Sequence, residues 1–272
     1  MKIAICQVLV EGGEPERNLE RAQKMIEKAA NNSCDLAILP ETLDLAWTHP
    51  SVFQEAQEIP GPRSTFFADL AKKHNLWICV GLTELIGSSI YNTAILIDRE
   101  GEIRLKHHKI NLLEVEFPYY KIGSKLEVVE TEFGRIGLNI CADNYQDALC
   151  LGHSLARLGA QLILSPSSWT VDHTVTEEID PYQDKWIKPL TEIATLYEIP
   201  VVSATSVGYI VGGPYEGKKM IGCSLAVDKN GNLFQSEKNE FAGDLKIVDL
   251  ELGEGKWQGT QFGAMLKAKK TK

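Results

Sequence analysis

The sequence predicts an α/β protein in which mixed β-sheets carry helices on their outer faces. Short β-branched runs alternate with amphipathic stretches, strands outnumber helices by more than two to one, and hairpins alternate with strand–helix–strand units. The chain has 272 residues, of which 44% are hydrophobic, so it is long enough to bury a large core. No Pro-, Gly- or Ser-rich linker and no internal repeat interrupts it. We therefore expect one domain over residues 1–272, with a core over about 1–250 and a tail over about 251–272.

The first half of the chain is predicted from hydrophobic spacing and turn signals. Leu19, Ala22, Ile26 and Ala29 recur at helical spacing, whereas Leu-Ala-Ile-Leu before Pro40 is typical of a buried strand. A turn at Arg-Glu-Gly before Glu102 indicates a hairpin. The strands are predicted at 3–10, 36–39, 76–82, 91–98 and 103–106, and the helices at 14–30 and 62–74.

The second half repeats this alternation. Glu-Phe-Gly at 132–134 and Asp-Lys-Asn-Gly at 228–231 indicate hairpin turns. A polar loop is predicted over 165–181, and the Lys-rich stretch 266–272 is expected to be a mobile tail. The strands are predicted at 126–130, 136–140, 161–164, 200–205, 223–227, 233–236 and 245–250, and the helices at 148–158 and about 182–197.

Composition and missing motifs exclude several classes of function. Lys plus Arg is 28 against 37 for Asp plus Glu, a formal net charge of −9, which argues against nucleic acid or an anionic membrane surface as the main partner. No apolar run approaches the ~20 residues of a membrane-spanning helix. The first eight residues read as a strand rather than a signal peptide, and the six cysteines are scattered, so we expect reduced thiols and a cytoplasmic location.

Nucleotide and metal motifs are also missing from the sequence. There is no Gly-rich dinucleotide or phosphate-binding loop, no H-E-x-x-H and no paired C-x-x-C. His107 and His108 are adjacent, so on a strand they point to opposite faces and do not suit one metal. Gly-His-Ser around Ser154 resembles the nucleophile turn of serine hydrolases, but it lies inside a predicted helix, where that turn does not form.

Three reactive side chains follow predicted strands, where open sheets build their sites. Glu41 comes after Pro40, Lys109 after the strand at 103–106, and Cys141 after the strand at 136–140. Taken singly, Glu41 and Lys109 fit exposed surface residues better than catalytic ones. A thiol near a helix N-terminus and a cation is expected to have a lowered pKa and to be nucleophilic.

Together with their neighbours these residues make the sequence resemble the nitrilase, or carbon–nitrogen hydrolase, superfamily. The matching stretches are Leu-Pro-Glu at 39–41, Tyr-Asn-Thr-Ala at 91–94, His-Lys-Ile at 108–110, Gly-Arg-Ile-Gly-Leu-Asn-Ile-Cys-Ala-Asp at 134–143, Gly-Ala-Gln-Leu-Ile at 159–163 and Ser-Pro-Ser-Ser-Trp at 165–169. The resemblance runs from residue 1 to about 250. It implies a four-layer αββα sandwich with two mixed sheets and a homodimer or larger homo-oligomer.

The resemblance also implies a Glu-Lys-Cys triad of Glu41, Lys109 and Cys141 that needs no metal or organic cofactor. Glu41 would act as general base and acid, Cys141 as the nucleophile that forms a thioester, and Lys109 with the Ala142 N–H as the oxyanion site. A second glutamate is implied in the loop after the lysine; Glu116 fits, and Glu114 remains an alternative. The expected reaction is hydrolysis of a small non-peptide amide or N-carbamoyl compound.

The expected pocket leaves the substrate open. Tyr145 and Trp169 are predicted as walls, and Ala142 is small where the family often has an aromatic residue. Ala-Asp follows the cysteine where nitrilases proper generally have Trp-Glu, which argues against a nitrile; a nitrile is kept as the alternative substrate. Family members that bind a substrate carboxylate often have an arginine two or three residues after that Asp, where this chain has Tyr145-Gln146. This argues against an acidic amino-acid or carbamoyl-amino-acid substrate, although a distant Arg or Lys could substitute. A catalytically silent binding protein is the remaining alternative.

Overall fold

The computed structural model describes residues 1–176, 178, 183–236 and 243–255, and all structural statements concern these residues. The strands are β1 (Lys2–Leu9), β2 (Leu36–Ile38), β3 (Trp77–Ile86), β4 (Ser89–Ile97), β5 (Ile103–His108), β6 (Val128–Thr131), β7 (Gly134–Leu138), β8 (Leu162–Ser167), β9 (Thr170–Val171), β10 (Val201–Tyr209), β11 (Lys219–Ile221), β12 (Leu225–Val227), β13 (Leu233–Gln235) and β14 (Asp244–Asp249). The helices are α1 (Pro15–Asn31), α2 (Val52–Glu55), α3 (Pro62–His74), α4 (Cys150–Arg157) and α5 (Asp184–Tyr197).

The strands form one large mixed sheet. Its main path runs in the order β5-β4-β3-β2-β1-β10-β8-β7-β6. The central pairs from β3 to β7 are parallel, whereas β3–β4, β4–β5 and β6–β7 are antiparallel hairpins. The predicted mixed pairing in a single α/β domain is therefore confirmed. The predicted pair of separate sheets is not confirmed. β1 pairs with β10 through Val8 opposite Ser206 and Leu9 opposite Val207, and this pairing joins the two halves of the sheet.

The two faces of the first half of the sheet belong to different cores. Ile3 and Ile5 of β1 point toward one core, which also contains Leu138 and Leu164 from the second half. Alternate residues such as Ala4 and Cys6, together with Ala37 and Ile78, pack in a second core with the apolar stripes of α1 and α3. The catalytic candidates lie at the end of the first core, between the two halves of the sheet.

Most elements match the predicted ones. The helix over 62–74 has those bounds, with Pro62 in its first turn and Asn75 in the left-handed conformation at its end. The turns at 99–101, 132–134 and 228–231 join antiparallel strands as predicted. The sequence missed α2, β9 and β11, which are two to four residues long and carry no periodicity. Tyr182 at the predicted start of α5 and the tail 266–272 lie outside the described residues.

The predicted polar loop over 165–181 is wrong at its start. β8 continues through Ser167, and Ser165, Ser167 and Ser203 are buried in the sheet. The hydroxyl of Ser203 donates to that of Ser167 at 2.9 Å, which itself lies 3.3 Å from the hydroxyl of Ser165. Three serines whose hydroxyl groups hydrogen-bond one another can lie in a core strand. Their polar composition alone predicts a loop. Among the described residues, no helix is both long enough and apolar enough to cross a membrane.

Candidate active site

The three reactive side chains meet where the strands that carry them end. Glu41 lies three residues after β2, Lys109 directly follows β5, and Cys141 lies three residues after β7. β2 and β7 belong to the parallel part of the sheet, where loops at the carboxyl ends of strands form crevices. All three side chains are buried, with Lys109 only 1% exposed. The structure thus brings together residues that are 68 and 32 positions apart in the chain.

Glu41 is held by one of its two oxygens. Oε2 accepts hydrogen bonds from the Asn92 amide at 2.6 Å and from Nζ of Lys109 at 3.3 Å, while Oε1 accepts none from the described residues within ordinary hydrogen-bond geometry. Burial raises the pKa of Glu41, and Lys109, Asn92 and the nearby Cys141 thiol oppose that rise. A Cβ on Gly81 would lie 2.3 Å from the Cα of Glu41, so only glycine allows β3 to pass so close.

Lys109 is balanced by a second buried carboxylate. Nζ donates to Oε1 of Glu116 at 2.9 Å, and the indole of Trp47 donates to the same oxygen at 2.7 Å. Oε2 of Glu116 accepts from the backbone N–H of Leu113 at 2.8 Å. Burial favours the neutral amine, but the two carboxylates outweigh it and hold the pKa of Lys109 well above its ordinary value. Of the two glutamates left open by the sequence, Glu116 contacts the lysine and Glu114 is exposed.

Cys141 occupies a strained turn. Its φ of +43° lies in the left-handed region, which costs a non-glycine residue about 1–3 kcal/mol. Sγ donates to the carbonyl of Ser168 at 3.6 Å. The expectation of a lowered thiol pKa is wrong: burial and the charge of Glu41 raise the pKa of Cys141 well above its ordinary value, and Lys109 only partly opposes them. The residue begins a short 3₁₀ turn, Cys141–Asn144, rather than a long helix whose dipole could stabilise a thiolate.

A buried aspartate joins the cysteine turn to the lysine strand. Oδ2 of Asp143 accepts from the N–H of Ile140 at 2.9 Å and lies 2.8 Å from Nε2 of His107. Oδ1 accepts from the N–H groups of Ile110 and Asn111 at 3.1 and 2.7 Å. This carboxylate therefore holds the residues directly after Lys109 against the turn that begins at Cys141. The sequence predicted no separate role for Asp143, which appeared there only as part of a motif. Its four partners come from two separate segments that meet only in the folded chain.

A pocket of about 430 Å³ opens onto Cys141. Tyr145 lines it, as predicted, whereas Trp169 and Ala142 are not among its lining residues. Trp169 is buried behind Trp186, with ring centroids 4.9 Å apart and planes nearly parallel at 11°. Trp186 of α5, which stacks on Trp169, therefore forms the wall that was predicted at Trp169. The lining residues are Trp47, Leu113, Cys141, Tyr145, Ser168, Thr170, Val171, Asp172, Val175, Lys185, Trp186, Tyr215 and Lys218.

The other candidates from the sequence have structural roles. The Ser154 hydroxyl donates to the Cys150 carbonyl within α4 at 2.8 Å, as a helical serine does. His107 and His108 point to opposite faces and lie against Asp143 and Glu84, respectively. Across the described part of the chain, no three His, Cys, Asp or Glu side chains are grouped as metal ligands would be.

Comparison with known proteins identifies the family of the chain. Residues 2–256 match the sequence profile described as carbon-nitrogen hydrolase, which is nearly the whole chain. The chain belongs to the carbon–nitrogen hydrolase family. It is 29% identical over 185 residues to the chloroplastic omega-amidase of Arabidopsis thaliana, and the match covers 62% of this chain but only 49% of the plant protein.

Two further matches cover more of this chain. A protein named nitrilase from Pyrococcus abyssi is 29% identical over 226 residues, with 81% of this chain and 80% of its own covered. The crystal structure of Saccharomyces cerevisiae Nit3, described as a member of branch 10 of the nitrilase superfamily, superposes with a TM-score of 0.78 at 22% identity, covering 100% of this chain and 93% of that one. At that identity the likeness concerns the fold.

Proposed function

We propose that this protein hydrolyses the C–N bond of small non-peptide amides or N-carbamoyl compounds through a thioester on Cys141. The observation that carries the proposal is the buried group of one carboxylate, one ammonium and one thiol at the end of a pocket. Relatives named omega-amidase and deaminated glutathione amidase support amides as the substrate class.

The first half of the reaction forms the acyl-enzyme. Because the pKa of Cys141 is raised, the thiol is protonated until a base removes its proton. Oε1 of Glu41 is the acceptor for that proton, since Oε2 already accepts from Asn92 and Lys109. Sγ attacks the carbonyl carbon, Glu41 then protonates the amine, the C–N bond breaks and a thioester remains.

The tetrahedral intermediate needs positive partners for its oxygen. Lys109 stays an ammonium because its pKa is raised well above the ordinary value, and we assign it this role together with the N–H of Ala142. Glu116 positions Lys109 through the 2.9 Å contact between Oε1 and Nζ. In the second half, Glu41 takes a proton from water, the water attacks the thioester, and Sγ leaves with the proton that Glu41 returns.

We also propose how the two halves of the sheet and the outer helices are arranged. The shared core of Ile3, Ile5, Leu138 and Leu164 supports an arrangement in which the two halves of the sheet face each other between outer helices, as in an αββα sandwich. Homo-oligomer formation remains a prediction from the family resemblance, and a cytoplasmic location remains a prediction from the scattered cysteines and the N-terminal strand. Light scattering of the purified protein tests the first of these.

Ammonia release tests the proposed reaction. The wild-type protein is assayed with aliphatic amides, carbamoyl amines and nitriles, and Cys141→Ala is expected to lose turnover completely, because no other group can form the covalent intermediate. Cys150→Ser is the matched control, since Cys150 is exposed on α4 and should be dispensable.

Trapping the acyl-enzyme tests the thioester mechanism independently of the measured turnover. Mass spectrometry of protein quenched during turnover should find the acyl group on Cys141, and hydroxylamine should release it as a hydroxamate. Turnover by Cys141→Ala at near wild-type rate would remove the thiol from the mechanism. Ammonia released from nitriles but not from amides would replace the amidase proposal with a nitrilase.

A further inference from the structure

The loop over residues 41–48 has a strained backbone. Thr42, Ala46 and Thr48 have φ angles of +41°, +67° and +58°, in the left-handed region that residues with a side chain rarely adopt and β-branched threonine adopts least. The hydroxyls of Thr42 and Thr48 are buried and have no hydrogen-bond partner among the described residues. A backbone of this kind persists only where the surrounding structure holds it, because released residues relax toward negative φ.

Both ends of this loop reach the groups of the proposed reaction. Its first residue is Glu41, the proposed general base. Near its other end, the indole of Trp47 donates at 2.7 Å to Oε1 of Glu116, and the same oxygen accepts from Nζ of Lys109. A change in the loop would therefore displace the base and the carboxylate that positions the lysine at the same time.

A buried ion pair anchors the middle of the loop. Oδ2 of Asp44 accepts from Nη1 of Arg63 at 3.2 Å, and the two side chains are only 1% and 10% exposed, respectively. Asp44 also accepts from the backbone N–H and the hydroxyl of Thr83 at 3.1 and 3.2 Å. Burial raises the pKa of Asp44, and the charge of Arg63 is the largest effect that opposes this rise. The pair thus fastens the loop to β3 and to the first turn of α3.

Two further contacts hold the anchor itself. Nη1 of Arg63 also donates to the carbonyl of Glu55 at 2.8 Å, and its Nη2 lies 3.4 Å from Oε2 of that residue. The side-chain amide of Asn18 donates to the carbonyl of Asp44 at 3.1 Å. Asn18 belongs to α1 and Glu55 to α2, so four elements, α1, α2, α3 and β3, meet around one loop residue.

We propose that Asp44 and Arg63 are positioning residues, whose ion pair holds the loop 41–48 in its strained form and thereby keeps Glu41 and Trp47 in place for the reaction. This inference rests on the proposed amidase function. A displacement of about 1 Å at reacting groups can cost about 10²-fold in rate. Neither positioning residue is among the described residues that line the pocket, so their loss should reduce kcat and leave KM nearly unchanged.

A charge-free version of the pair tests the anchor. Asp44→Asn/Arg63→Met removes both charges, so no buried ion is left without its partner, and the new amide can still accept from Thr83. For an aliphatic amide, kcat should fall about 10- to 100-fold and KM should change less than about threefold. Asp44→Asn alone should give a smaller loss in the same direction. Wild-type kcat in both folded variants would overturn the proposal.

A second aspartate–arginine pair supplies the matched control, Asp98→Asn/Arg104→Met. Asp98 is 4% exposed and lies 3.1 Å from Arg104, but this pair is at the start of β5, at the opposite end of the strand from Lys109. Thermal unfolding should show a loss of stability in this variant, whereas kcat should stay at the wild-type value. An equal fall of kcat in both double variants would mean that the loss of any such pair slows the reaction, and the proposal would fail.

A glycine in the loop distinguishes positioning from a general loss of stability. Glycine adopts positive φ without steric cost, so Ala46→Gly weakens the tendency of the loop to leave its strained form. In the Asp44→Asn background this change should restore kcat by about threefold or more, measured per folded protein. In the wild-type background it should leave kcat unchanged. If kcat is not restored, strain in the loop is not what Asp44 opposes, and the proposal is wrong.

Crystal structures separate this inference from the proposed function. In Asp44→Asn/Arg63→Met, at least one of Thr42, Ala46 and Thr48 should leave the left-handed region, and the 3.3 Å contact between Glu41 and Lys109 should lengthen. If the wild-type protein hydrolyses no amide but the loop relaxes in this way, the amidase proposal fails and the anchor stands. If amides are hydrolysed and the loop is the same in both proteins, the anchor fails alone.

Discussion

The two ends of the pocket are built differently. At the buried end, Lys109 and Glu116 are at most 1% exposed, and each makes at least two polar contacts. At the mouth, Lys185 is exposed, and its ammonium lies over the ring of Tyr145. Chemistry requires fixed distances and protonation states that only a desolvated site maintains. Substrate binding tolerates exposed, adjustable side chains. Variants at the buried end should therefore change kcat or stability, and variants at the mouth should change KM.

The buried end gives the largest expected effect. Glu41→Gln keeps the size of the side chain but cannot accept a proton, so kcat/KM should fall about 10²–10⁴-fold. Far-UV circular dichroism and thermal unfolding should show a folded protein. Glu114→Gln is the control, because Glu114 is exposed two residues from Glu116. Near wild-type turnover by Glu41→Gln would mean that another group is the base.

Two aspartates extend the comparison from rate to stability. Asp143→Ala leaves three backbone N–H groups and the buried His107 ring without their acceptor, so the free energy of unfolding should fall by about 2–5 kcal/mol. Asp172→Ala at the exposed mouth should change it by less than about 0.5 kcal/mol. Urea unfolding curves of both variants give the two values. Similar losses in both would contradict the division of the pocket into a rigid and a tolerant end.

The pH dependence of activity is the most subtle expected difference. The base must be ionised, and because burial raises the pKa of Glu41 above its ordinary 4.5, kcat/KM should decline as pH falls through a value higher than 4.5. Hydrogen bonds from Thr174 lower the pKa of Asp172 below its ordinary 3.8, so the mouth carboxylate keeps its charge over this range. Lys109 should cause no alkaline loss below about pH 10.

Two outcomes of the pH profile would contradict this interpretation. An acid limb at or below pH 4.5 would mean that Glu41 is not the group that limits activity. An increase in kcat/KM that follows thiol ionisation toward pH 9 would indicate a free thiolate nucleophile, contrary to the raised pKa of Cys141.

The sequence by itself was sufficient for features that depend on neighbours along the chain. Pro62 and the apolar spacing that follows it determine α3, and the Gly-containing turn before Glu102 determines the hairpin of β4 and β5. The order of the motifs around Glu41, Lys109 and Cys141 was enough to recognise the family. Each of these signals lies within a few residues, where backbone sterics and periodicity act.

The tertiary structure decided everything that depends on which segments meet. It selects Glu116 over Glu114, replaces Trp169 by Trp186 as the pocket wall, raises the pKa of Cys141 and brings Lys185 and Lys218 to one mouth. The physical reason is that desolvation and Coulomb interactions act through space and fall off within a few ångströms. Residues that are 33 positions apart in sequence, such as Lys185 and Lys218, line one pocket only when the chain has folded.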